Sequence, residues 1–176
     1  NVLISSFQCG KQPGIASLSK LQGGKMTPWI AAFIALFIWW FSTGTILMAV
    51  KYADRAGQKA RRNTTLAALP LVAFGAYGAW WSANITDVFG IYVAFLSALA
   101  LWGWIEMAFL TGIITGPNTR PLPSNTSEFE RFIRAWGTLA YHEMLLGATL
   151  LALGLTLWQA ANPFAYYTYA VLFFAR

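Results

Sequence analysis

The chain has 176 residues, 57% hydrophobic and 10% charged, with a mean hydropathy of +0.53. Soluble domains carry about 25% charge, so this composition excludes an ordinary soluble fold and leaves room for four or five membrane spans. The net charge of +6 does not argue for nucleic acid, because the basic residues lie between apolar stretches and form no groove-sized patch.

Residues 1–25 contain Lys11, Lys20 and Lys25 in a Gly- and Ser-rich setting and predict an irregular extension, with at most a short helix near Ala16 to Leu21. The single cysteine, Cys9, excludes an internal disulfide. Met26-Thr27-Pro28 reads as a fresh beginning: Thr27 suits a helix cap and Pro28 a first helical position, where no N–H is missed. A transmembrane helical domain is expected over 26–176, an all-α bundle of four full spans and the start of a fifth. Span one covers about 28–50, span two about 66–84 with Pro70 in its first turns, and span three about 89–115. Span four, about 136–158, is closed at each end by a Trp. The Ser127 to Glu130 spacing of a capping box starts its helix earlier, as an amphipathic lead-in along the interface. The apolar stretch 163–175 is too short to span and is read as a helix cut by the chain end at Arg176.

Orientation follows from Lys and Arg. The segments 51–65 and 116–135 hold five and three, the segments 85–88 and 159–162 none, and the tail three. Loops 51–65 and 116–135 are therefore expected in the cytoplasm and the N-terminus in the periplasm.

Ionisable groups inside a span are costly, so each implies a partner or ligand. Glu106 on span three and His142 and Glu143 on span four fall in the same membrane half and are expected to meet as a buried ionisable cluster. That cluster has two readings. One is a site, either with His142 as axial ligand of a chlorin magnesium or as a proton-handling group. The other is an interhelical clamp with Glu143 reaching toward Arg134 or Arg131. Trp29, Trp80, Trp81, Trp136 and Trp158 suit an interfacial belt, whereas Trp39, Trp40, Trp102 and Trp104 lie near the middle of spans. Those four are candidate contacts for a planar ring, against the alternative of packing alone. Gly112 with Gly116, Ala31 with Ala35, Ala148 with Ala152, and Gly75 with Gly78 offer close helix approach. Ser42, Thr43 and Thr45 are explained by back-bonding to their own helix. No catalytic signature is present, and one imidazole with two carboxylates falls short of a protein-only metal cage.

Five strings, in order, carry a resemblance: Met26-Thr-Pro-Trp-Ile-Ala-Ala-Phe33, Phe37-Ile-Trp-Trp-Phe-Ser-Thr-Gly44, Phe129-Glu-Arg-Phe132, Ala140-Tyr-His-Glu-Met144 and Leu172-Phe-Phe-Ala-Arg176. Over residues 26–176 the chain resembles the PuhE family of photosynthetic complex assembly proteins, membrane proteins of purple bacteria. The resemblance implies a non-enzymatic accessory of the reaction-centre and light-harvesting complex in the bacterial inner (intracytoplasmic) membrane. The implied partners are those subunits and membrane lipids, not nucleic acid. It also implies that the family continues beyond the last string. In that setting bacteriochlorophyll becomes the expected cofactor, held by His142 with Trp39, Trp40, Trp102 and Trp104 in contact. Two alternatives stand beside it: a stable structural subunit of the complex, and a subunit of a bacteriochlorophyll-biosynthesis enzyme using Glu106, His142 and Glu143 for proton transfer.

Overall fold

The computed structural model describes residues 28–114 and 127–175, all helices and turns with no strand among them. The expected extension 1–25, the Thr27 cap, Thr115 and the whole segment 116–126, with Gly116, lie outside the described residues. Among the described residues six helices follow in order: α1 Pro28–Ala56, α2 Gln58–Ala67, α3 Leu69–Ser82, α4 Val88–Leu110, α5 Glu128–Thr156 and α6 Phe164–Ala175. Three of them, α1, α4 and α5, are long and apolar enough to cross a membrane. The chain divides into two units, residues 1–37 and 38–176. The described part of the first is the opening of α1, with Trp29, Phe33 and Phe37 exposed.

Several boundaries differ from those expected. The segment 51–65 is not a loop: α1 runs on to Ala56, and α2 begins at Gln58 after Gly57. The expected second span is broken at Ala68, because Pro70 in the first turn of α3 offers no N–H to the turn before it. Alone, α3 has 14 residues, about 21 Å. The third span stops at Leu110 rather than Thr115. There Ile113 N–H donates to Ala108 O at 2.9 Å and Gly112 N–H to Phe109 O at 2.9 Å, with Gly112 at φ 75°. This Schellman ending needs a left-handed residue, so Gly112 is a stop signal and not one half of a helix-contact motif.

Other local expectations are met. Ser127 Oγ accepts the Glu130 N–H at 3.2 Å, starting α5 eight residues before Trp136. Ser42 and Thr43 donate to Trp39 O, and Thr45 to Phe41 O, at 2.8–2.9 Å. The tight α3–α4 approach is made at Gly75 and Gly78. A Cβ on Gly75 would stand 2.7 Å from Leu101 Cγ, and one on Gly78 would collide with Ser97 Oγ. Ala148 and Ala152 instead line an open groove of about 390 Å³ with Ala76, Ala79 and Trp80.

The core lies on α4, which buries Ala94, Ala98, Leu99, Leu101, Trp102 and Ile105 against Leu146 and Leu153 of α5 and Ala165, Tyr169 and Leu172 of α6. Buried polar groups tie both ends. At one end the Thr65 and Thr111 hydroxyls bond at 2.8 Å, and Trp104 Nε1 donates to Thr65 O at 3.2 Å. At the other, buried Asn162 donates through Nδ2 to Ser82 O at 3.1 Å and to Ile85 O at 2.8 Å, while its own N–H donates to Ala83 O. The chain passes from the first end to the second along α3, returns along α4, and comes back through α5.

Candidate functional site

Spans three and four, here α4 and α5, bring Glu106 and His142 face to face. Glu106 sits four residues before the end of α4, and His142 sits in the middle of α5. Their facing atoms, His142 Nε2 and Glu106 Oε2, are 3.6 Å apart, with the two side chains 4% and 18% exposed. This is an electrostatic contact slightly longer than a direct hydrogen bond, in an apolar setting that strengthens it. The pair also sets the helix register. Four residues of α4 remain beyond Glu106 and fourteen of α5 precede His142, so α5 overhangs α4 by about ten residues, or about 15 Å. The overhang carries Phe129, Phe132, Ile133 and Trp136, all exposed. It is the amphipathic lead-in read from the capping box.

Phe109, one turn after Glu106, stacks flat on the His142 ring, with centroids 4.2 Å apart and planes at 18°. One turn further along α5, Leu146 is fully buried, and its carbonyl accepts from the Tyr169 hydroxyl of α6 at 3.4 Å. The imidazole is therefore faced by two residues of α4, Glu106 at Nε2 and Phe109 on its ring. Neither Phe109 nor Tyr169 was singled out in the sequence. Phe109 could have been found as the aromatic one turn from Glu106, facing the same neighbour. Tyr169 carries no local signal, since its role depends on how α6 folds back.

Glu143 follows His142 but points about 100° around the helix and is half-buried. Among the described residues no three His, Cys, Asp or Glu side chains form a group able to hold a metal, so Glu106, His142 and Glu143 do not converge as a cage. Arg134, the expected anchor for Glu143, is engaged by Glu130 at 2.7 Å, one turn back on its own helix.

The four mid-span tryptophans have four different surroundings. Trp39 is 38% and Trp40 70% exposed on α1. Trp102 is buried in the α4 core, and Trp104 uses its N–H on Thr65 O. A chlorin magnesium would need a ring nitrogen opening on a slot wide enough for the macrocycle. Both nitrogens of His142 are shut off from the surface, one face of the ring is covered by Phe109, and Nε2 looks at Glu106. As packed, His142 offers no slot for a chlorin, and Glu106 and His142 face each other between α4 and α5.

Residues 25–176 match the family model described as Protein of unknown function (DUF3623). The chain is also 43% identical over 149 residues to a protein of Rhodobacter capsulatus described as an uncharacterized 30.4 kDa protein in the puhA 5′ region. That match covers 85% of this chain and 54% of the relative, so the chain spans about half the length of the curated relative it matches. No solved structure matches it. The coverage of the family model and the identity to this relative lead to one conclusion: the chain belongs to the DUF3623 family.

Proposed function

We propose that the protein is a non-enzymatic accessory of the bacterial photosynthetic apparatus, embedded in the inner membrane and acting in assembly of the reaction-centre and light-harvesting complex. The observation that carries this reading is the position of the relative in the 5′ region of puhA, beside the resemblance over residues 26–176. Genes kept side by side commonly serve one process. Physical support comes from α1, α4 and α5, whose length and apolar character suit a bilayer. The proposed role lies in contact with the polypeptides of the complex.

Deletion of the gene in its phototrophic host is the direct test. The expected result is lower near-infrared absorbance of assembled complexes per cell, with the pool of pigment-synthesis intermediates unchanged and complementation by the full-length gene. Unchanged complexes would overturn the reading. Accumulation of a biosynthetic intermediate would instead transfer the role to an enzyme subunit using Glu106 and His142 as proton carriers.

A second reading, a stable structural subunit, draws on the row of Trp29, Phe33 and Phe37, each at least 60% exposed along the opening of α1. Such a row offers a long aromatic seam to a neighbouring transmembrane helix. Fixed stoichiometry with the purified mature complex would favour it, and loss during purification would favour the assembly role.

A further inference from the structure

The end of α1 and the start of α2 concentrate positive charge that few carboxylates among the described residues answer. Lys51 and Arg55 lie one turn apart on α1, Lys59 and Arg62 lie three residues apart on α2, and all four are exposed. Asp54 is the sole carboxylate between residues 51 and 82, and it faces Arg61 across the elbow at 3.8 Å. Among the described residues Lys51, Arg55, Lys59 and Arg62 have no carboxylate partner. Nor does an acidic residue stand in the first turn of α2 to offset them.

The elbow is built, not loose. Gly57 turns the chain with φ 93°, a conformation that L side chains rarely adopt. Thr65 is buried, bonded through its hydroxyl to Thr111 and through its carbonyl to Trp104. Two hydrogen bonds to α4 and its cap thus hold α2 in place, so its cations sit on an anchored platform.

Its depth selects the occupant. From Pro28 to Val50 α1 is uncharged, a length of about 34 Å, so Lys51 emerges where the hydrocarbon ends and phosphates begin. Leu66 follows Lys59 by two turns on the same side of α2 and is 51% exposed, beside exposed Leu69. Cations next to leucines at that depth match an amphiphile with an anionic head and an apolar chain, and match a free anion or an acidic protein tail less well.

We propose that the α1–α2 elbow is a binding site for the headgroup of an anionic phospholipid, held by Lys51, Arg55, Lys59 and Arg62 with its acyl chain along Leu66 and Leu69. The proposal rests on α1 crossing the membrane. Resistance of the protein to alkaline carbonate extraction tests that premise separately, so the two can fail independently.

The test is native mass spectrometry of the full-length protein in detergent, titrated with phosphatidylglycerol and phosphatidylcholine of identical acyl chains. The expected result is a preference of about tenfold for phosphatidylglycerol. It should fall to within about twofold of parity in the Lys51→Gln/Arg55→Gln/Lys59→Gln/Arg62→Gln variant. The Arg131→Gln/Arg134→Gln control should keep the full preference. The single exposed change Arg62→Glu gives the same direction with the least disturbance to folding. Competition by inorganic phosphate should remove less than half of the bound lipid. No preference in the wild-type protein, a preference that survives the fourfold variant, equal loss in the control, or complete displacement by inorganic phosphate would each overturn the proposal.

Discussion

His142 and Glu106 face each other in an apolar surround, so two substitutions that each touch the pair are expected to behave differently. His142→Ala removes the ring beneath Phe109, opens a cavity and leaves the Glu106 carboxyl facing it. The expected loss is about 2–4 kcal/mol, the range of large-to-small core changes compounded by a disturbed buried polar partner. Glu106→Gln keeps volume and a hydrogen-bonding group while removing the charge, and is expected to change stability by less than about 1 kcal/mol. Thermal unfolding of both variants in the same detergent checks this. A Glu106→Gln loss as large as that of His142→Ala would make the charge, not the packing, the source of the clamp. The pairing itself was legible in the sequence, because an intramembrane carboxylate and imidazole on adjacent spans have few other ways to be satisfied. The place of Phe109 one turn from Glu106 was legible too, but its flat stacking was not, since ring geometry depends on the rotation of α4 about its axis, which an apolar surface running all round the helix does not encode. For the same reason Trp102 and Trp104, two residues apart, received one expectation and have two surroundings.

At the scale of the element, the contact between α3 and α4 is the most sensitive to volume. Ser97 fills the space left by the missing side chain of Gly78. Gly78→Val is expected to force these helices apart, costing about 1–3 kcal/mol through overpacking. Gly44→Val, with nothing within 4 Å of its Cβ position, should leave stability nearly unchanged. Comparing the midpoints of their detergent unfolding curves tests the pair, and equal effects would mean that general helix propensity, not this contact, sets the cost. Local chemistry made some elements readable before any packing was known. A Ser three residues before a Glu marks the start of α5, and Pro70 marks a weak point in the second apolar stretch. Gly112 shows where such reading stops: the same glycine suits a helix-contact motif or a left-handed cap, and only the backbone beyond it decides. The helical character of 51–65 was hidden behind its charges, which look like a loop until Trp104 and Thr111 supply partners for Thr65.

For the molecule as a whole, we predict four membrane crossings from the polar ties at the two ends. α3 alone is too short to span, yet Thr65 is fastened to Thr111 just beyond one end of α4, and Ser82 and Ile85 are fastened to Asn162 near the other. The chain from Thr65 to Ile85 therefore runs the length of α4, so if α4 crosses the bilayer, this segment crosses beside it. The basic residues obey the same division. Those between 51 and 62 lie at the Thr111 end, and the turns around Ile85 and Asn162 carry none. Cysteine labelling tests this directly, because Cys9 is the chain's single cysteine and serves as its own reporter. In a Cys9→Ser background, Asn63→Cys is expected to react with a membrane-impermeant maleimide only after lysis, while Asn84→Cys and Gln159→Cys react in intact cells, as does Cys9 in the unaltered protein. Three crossings, with α2 and α3 lying on one side, would place positions 63, 84 and 159 together and separate them from Cys9. Because the two arrangements differ at position 63 relative to 84, a single pair of labelled variants distinguishes them, and equal labelling there would remove the fourth crossing.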